Sequence, residues 1–393
     1  MDSRLVWLAL GAFAGSVESS VIVGFLPDIA AETGVRVGEA GLLVLGYSLA
    51  YGFATPVLST LFGRHHRRRI VVGAEALFGL AAILVALSPG FPMIFAARTL
   101  LAVGAGLFTA TAQATAVALA KPGEAGRAVS TVVTGGSLAV AIGAPLGALL
   151  GHLTSWRVTY FVLGVLALSA AATMWRRLPR TIEGDTRTLR ERISVLREPG
   201  VGSILLSSVF AVMGIFIFLI YSVPVTTRQM GIDASLVPLA LFAFGSGAVL
   251  GNHGAGRMAD RIGPWRTQLR VLVATSISLL AVPIIAYLPM PVRLVAFLLD
   301  LFVFGVVTWG FFPPQLLRFV AVAPGSAILV AAVNLTAVNI GGGTAAVIGG
   351  QVLEHLGPEA LAPVAAAVTT LALLVVRFGP DSRLGARGSA GSL

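Results

Sequence analysis

Charge is scarce in this chain. Of its 393 residues only 11% are Asp, Glu, Lys or Arg, against about a quarter in soluble domains, which excludes an ordinary water-facing globule. Cysteine is absent altogether, which removes structural disulfides and thiolate metal sites and says nothing of compartment. The five histidines are His65 and His66 in one short loop, His152, His253 and His355. None pairs with a carboxylate at a metal-binding or catalytic-triad spacing, so neither a metal nor a catalytic residue is expected. No Walker A sequence occurs, which excludes self-contained ATP-driven chemistry. Long polar stretches are also missing: the longest is RRLPRTIEGDTRTLRERISVLREP (176–199), too short to be a soluble domain.

Apolar length is what the chain has instead. Hydrophobic residues make up 56% and the mean hydropathy is +0.92. Runs of about 20 apolar residues recur throughout, each able to cross a ~30 Å hydrocarbon core as a helix. Twelve spans are predicted, near 5–27, 39–62, 70–88, 92–119, 128–151 and 157–175, then 200–223, 235–256, 267–288, 292–316, 326–352 and 360–377. The first run is longer than a secretory h-region and carries no small-x-small cleavage site near its end, so it is expected to be retained.

The net charge of +10 does not indicate a nucleic-acid partner, because the basic residues lie in short loops between spans. With the N-terminus inside, 22 of the 27 Lys and Arg fall on the inner side, and only Arg36, Arg157, Arg228 and Arg293 fall outside. This asymmetry predicts both termini on the cytoplasmic side of a multi-pass protein.

The chain divides into an N-terminal six-span bundle (1–175), a cytoplasmic linker (176–199), a C-terminal six-span bundle (200–380) and a tail (381–393). The halves echo one another. Span 5 carries GAPLGALLG (143–151) and span 11 carries GGGTAAVIGG (341–350), while STLFGRHHRRR (59–69) follows span 2 and GRMADRIGPWR (256–266) follows span 8. A six-span unit duplicated in parallel implies transport by alternating access, with a site between the halves.

GRMADRIGPWR fits the pattern G-x-x-x-D-R-x-G-x-x-R through Gly256, Asp260, Arg261, Gly263 and Arg266. On these residues the chain resembles the major facilitator superfamily over essentially its whole length. The resemblance implies an all-α polytopic membrane fold, two pseudo-symmetric six-helix bundles around a central cavity, monomeric in the bilayer. In that family the loop clamps the inner helix ends in the outward-facing state; an ordinary basic turn is the plainer reading. The loop after span 2 departs from the pattern, with Gly63 at the Asp position and His66 at the later Gly.

SVESSVIVGFLPDIA (16–30), span 5 and NLTAVNIGGGTAAVIGG (334–350) resemble the efflux subgroup of drug–proton antiporters that holds chloramphenicol, arabinose and purine-ribonucleoside exporters. In span 5, Gly143, Gly147 and Gly151 are four apart and form one smooth face for close helix contact, and Pro145 can bend the helix. The resemblance implies a bacterial cytoplasmic-membrane exporter driven by a proton gradient with no other cofactor. Its partners would be protons and a small solute such as an antibiotic, a sugar or a nucleoside. Uptake by proton symport, or uniport, is the competing reading, and a channel or sensor is a weaker third.

Ionisable groups inside spans are costly, which makes the few present informative. Glu18 stands alone in span 1. Arg98, in span 4, falls at a similar depth and fits the family's proton-coupling arginine. A proton carrier whose charge depends on the open side is one reading of Glu18; a permanently neutral acid or a fixed ion pair with Arg98 is the other. Asp300 in span 10 is open between substrate contact, a second titrating site and a helix bridge. Gln113, Asn334 and Asn339 suit a polar solute or bridge helices. Tyr47 and Tyr51, one turn apart, and Tyr221 suit an aromatic or amphiphilic solute, or an interfacial belt. Glu75, close to the inner arginines, is assigned a structural role.

Overall fold

A computed structural model describes residues 3–62, 66–121, 124–180, 195–323 and 327–380. Among them the regular structure is helical throughout, as a bilayer requires of any span that must satisfy its own backbone groups. Ten helices are long and apolar enough to cross a membrane. The chain separates into two compact units, Met1–Leu189 and Arg190–Leu393.

The first unit contains α1 (Ser3–Thr33), α2 (Leu42–Leu61), α3 (Arg67–Leu87), α4 (Phe91–Leu119), α5 (Ala125–Leu138), α6 (Ala144–Leu153) and α7 (Trp156–Arg177). A π-helical turn, Ala139–Gly143, joins α5 to α6, so that the two make up span 5. It ends two residues before Pro145, whose ring crowds the carbonyl four residues back and whose nitrogen cannot donate. Helix α1 runs six residues past its expected end, straight through Pro27.

The second unit contains α8 (Val201–Ile220), α9 (Val237–Ile262), α10 (Pro264–Ile285), α11 (Val292–Trp309), α12 (Phe312–Val322), α13 (Ala327–Leu356) and α14 (Leu361–Phe378). Span 10, expected as one helix, is interrupted at Gly310 and Phe311 between α11 and α12, where Pro313 and Pro314 follow. Span 7 likewise stops at Tyr221 and ends in a π turn, Val225–Gln229.

The packing plan repeats. In the first unit α1 lies on α5 and α7, α2 on α4, and α3 on α4 and α7. In the second, α8 lies on α13 and α14, α9 on α11, and α10 on α11 and α14. Each principal neighbour pair therefore has a counterpart one half-chain later, which is the internal repeat that the sequence motifs imply.

Glycine makes the closest of these crossings. A Cβ on Gly147 would lie 2.7 Å from Val21 Cγ1, one on Gly143 would lie 2.8 Å from Phe13 Cζ, and one on Gly151 would strike Phe25. The four-residue glycine ladder of span 5 thus receives a four-residue ladder of bulky side chains from α1, the helix that carries Glu18. In the second unit a Cβ on Gly341 would meet the Val209 carbonyl oxygen at 2.5 Å, and one on Gly349 the Tyr221 ring at 2.7 Å.

Candidate functional site

Glu18 sits midway along α1 with its side chain fully buried. Arg98, on α4, donates from Nε to Glu18 Oε1 at 2.9 Å. Tyr160, on α7, donates its hydroxyl to the same Oε1 at 2.9 Å and accepts from Arg98 Nε at 3.2 Å. Three helices far apart in sequence therefore close one triangle of hydrogen bonds. Arg98 Nη1 donates to the Leu43 carbonyl at 2.6 Å, and its Cζ lies 4.9 Å from the centre of the Tyr47 ring. Tyr47 in turn stacks on Tyr51 at 5.8 Å.

Burial makes this cluster strong and fragile together. Removing one member of a buried ion pair typically costs about 3–5 kcal/mol, because the partner charge remains in a medium that cannot solvate it. The satisfaction is also incomplete: Glu18 Oε2 is buried with no hydrogen-bond partner. One carboxylate oxygen holds both the arginine and the tyrosine.

The site is braced from the C-terminal end of α1. Glu32, on the extension of α1 beyond Pro27, accepts from Trp156 Nε1 at 2.8 Å and from Arg157 Nη2 at 2.7 Å. Arg157 Nη1 also donates to the carbonyls of Ala86 and Ser88 at the end of α3, at 2.9 and 2.7 Å. The indole of Trp156 meets Tyr160 edge-on at 6.1 Å. This brace explains why α1 stays helical past Pro27: its last turn is held against α7 and α3. At the opposite end Arg67 donates to the Ala114 carbonyl at 2.6 Å, and Arg68 bonds the Trp175 carbonyl and lies 4.5 Å over the Trp175 ring. Those arginines tie α3 to α4 and α7; Gly63, Arg64 and His65 fall outside the described residues.

The remaining candidates are dispersed. Asp300 Oδ1 accepts from Ser278 on α10 at 2.9 Å, and its Oδ2 has no partner. Tyr221 is buried and donates to the Ala346 carbonyl at 2.6 Å, bridging α8 to α13. Asn334 is buried with Oδ1 unpartnered, and Asn339 donates to Leu335 of its own helix at 2.8 Å. Gln113 is exposed on α4. Gly256 lies in the last turns of α9, and Asp260, Arg261 and Arg266 are exposed. Gly263 takes φ +86° between α9 and α10, a backbone that favours glycine at that sharp turn. No group of three or more His, Asp or Glu able to hold a metal ion occurs among the described residues.

Tyr160 is the member that sequence reasoning missed. It is one of only five tyrosines and lies four residues after Trp156, so a lone phenol in an apolar span was the available signal.

Duplicated six-span units with an ion pair buried in the first define a multi-pass membrane transporter fold. The chain belongs to the Major Facilitator Superfamily, whose family pattern matches residues 8–336. It is similar to the chloramphenicol resistance protein of Streptomyces lividans, 28% identical over 91% of this chain and 92% of that protein. It is also similar to the inner membrane transport protein YdhP of Escherichia coli K12, 28% identical over 95% and 94%. A probable sugar efflux transporter of Helicobacter pylori is 26% identical, again over 95% and 94%. Among solved structures, a bacterial homologue of the human lysosomal transporter Spinster, inward-facing and occupied, superposes with a TM-score of 0.79. That likeness covers 97% of this chain and 96% of the other at 16% identity, and it shows the shared fold.

Proposed function

We propose that this protein exports a small organic solute across the bacterial cytoplasmic membrane in exchange for protons, by alternating access, with both termini in the cytoplasm. One observation carries the reading: a fully buried carboxylate shares one oxygen between an arginine and a tyrosine and leaves the other without a partner. A proton arriving at Glu18 Oε2 neutralises the carboxylate and removes the charge that holds Arg98. Arg98 then keeps the Leu43 carbonyl and the Tyr47 ring, so it is not stranded while α1 is released from α4. Loss of the proton re-forms the pair. The grip of α1 on α4 thus depends on protonation, and a proton gradient can drive such a switch.

Export rather than uptake is supported by the glycine ladder and Pro145 of span 5, which bear on the same helix as Glu18, and by relatives named for chloramphenicol resistance and sugar efflux. The substrate class is a small organic solute of that kind, an antibiotic or a sugar, with the Tyr47–Tyr51 stack offering it an aromatic surface beside Arg98.

The test is transport in proteoliposomes under an imposed pH gradient, with chloramphenicol and a panel of sugars as probes. Wild type is expected to accumulate a probe against its gradient while dissipating the pH difference. Glu18→Gln keeps the shape of the side chain; it is expected to exchange labelled probe at equilibrium and to lose uphill accumulation. Uphill transport by Glu18→Gln at the wild-type level overturns the assignment. Co-directional movement of probe and protons overturns export in favour of symport.

A further inference from the structure

A second carboxyl lies buried in the first unit, away from the Glu18 site. Glu75, on α3, is 1% exposed, and its Oε1 is buried with no hydrogen-bond partner. It is set among an apolar cluster that includes Leu8, Val71, Ala74, Phe108, Ala112 and Met174. Its carboxyl lies directly against the backbone of α1: a Cβ on Gly11 would be 3.0 Å from Glu75 Cδ and 2.5 Å from Phe108 Cζ. Gly11 is two turns inward of Glu18 on α1, roughly 10 Å along the axis, and Phe108 is ten residues inward of Arg98 on α4. The same two helices that are joined by the Glu18–Arg98 pair therefore close over Glu75 further in.

Among the described residues no ion pair reaches it. The ionisable groups on the helices around it are Arg4, Glu18, Asp28 and Glu32 on α1, Arg98 on α4, Arg127 on α5, Arg157, Tyr160, Arg176 and Arg177 on α7, and Arg67 to Arg69 on α3 itself. The engaged ones among these spend their hydrogen bonds elsewhere, Arg67 on Ala114, Arg68 on Trp175, Arg98 on Glu18 and Arg157 on Glu32. An isolated carboxylate in such a setting is among the costliest groups a protein can bury, whereas a carboxylic acid is tolerable.

We propose that Glu75 is a second proton-binding site, loaded while α1 packs across it at Gly11 and unloaded toward the cytoplasm when α1 moves away. The step is simple dissociation: the carboxylic acid loses its proton to water and becomes a carboxylate that water solvates. The Glu18–Arg98 pair sets when this happens, because breaking it frees the α1–α4 seam that covers Glu75. The inference rests on the proton-exchange reading for its role in transport, while the presence of the proton itself does not.

The experiment has two arms on the full-length protein. In wild type, dicyclohexylcarbodiimide, which modifies protonated carboxyls in apolar surroundings, is applied across a pH series and the adducts are mapped by mass spectrometry. An adduct on Glu75 that disappears as pH rises is expected, and absence of any Glu75 adduct overturns the proposal whatever the transport mode. In the second arm Glu75→Gln is compared with wild type for protons moved per solute. A fall in that ratio with probe exchange retained is expected; an unchanged ratio makes Glu75 a permanently neutral packing group and overturns its part in coupling. The first arm needs no variant to fold, and it stands even if Glu18→Gln shows that transport is not proton-driven.

Discussion

In the first unit, the helices of spans 1 and 4 meet through Glu18 and Arg98. In the second, the helices of spans 7 and 10 meet through two buried aromatics, Phe218 and Phe304, edge-to-face at 5.1 Å. The packing plan is shared, but one seam is ionic and the other apolar. The only acid of span 10, Asp300, is turned to Ser278 on α10 rather than to α8. Duplication supplied two corresponding helix pairs, and only the first is joined by an ion pair. Under the proposed proton exchange the first unit would respond to protons and the second would serve as its counterpart.

The largest expected effect comes from breaking each seam in turn. Arg98→Leu strands the Glu18 charge and is expected to lower stability by about 3–5 kcal/mol and to abolish uphill transport. Phe304→Leu shortens an apolar side chain without stranding a charge and is expected to cost about 1–2 kcal/mol with transport retained. Thermal unfolding in detergent, read beside proteoliposome transport, checks both; equal losses of transport in the two variants erase the proposed division of labour.

The glycine crossings sharpen the comparison at a smaller scale. The atom nearest a Cβ on Gly341 is a backbone carbonyl oxygen, whereas Gly147 faces a side-chain methyl of Val21. Gly341→Ala is therefore expected to cost about 1–3 kcal/mol and Gly147→Ala less. A reversed order of melting temperatures contradicts the claim that the α8–α13 crossing is the stiffer one.

Single hydrogen bonds give the smallest effects. Tyr160→Phe removes one donor from Glu18 Oε1 and is expected to cost about 1 kcal/mol while shifting the pH profile of transport. Asp300→Asn keeps an acceptor for Ser278 and is expected to leave that profile in place. A moved profile in Asp300→Asn alone would transfer the sensing role to the second unit.

Much of this was legible in the sequence because membrane physics leaves few options. Apolar runs of span length, a basic bias in the loops and one acid in an apolar helix all follow from the cost of leaving polar groups in lipid. The helix interruptions were harder to foresee. Pro27 did not end α1, because Glu32 beyond it is held by Trp156 and Arg157, while Pro313 and Pro314 accompany a break in span 10. A proline shows where a helix is weak; its neighbours decide whether the helix fails.

By itself, then, the sequence determined that the chain is an internally duplicated multi-pass membrane protein and that Glu18 and Arg98 are costly buried groups at similar depth. Those conclusions depend on composition and spacing along one chain, where free energies of transfer into lipid act residue by residue. Only the tertiary structure decided that Tyr160 completes their triangle, that Asp300 turns to Ser278, and that Glu75 is left with apolar surroundings and the backbone of Gly11. A partner is a property of distance in space, and helices α1, α4 and α7 come within a hydrogen bond of each other across 80 and 142 residues of sequence.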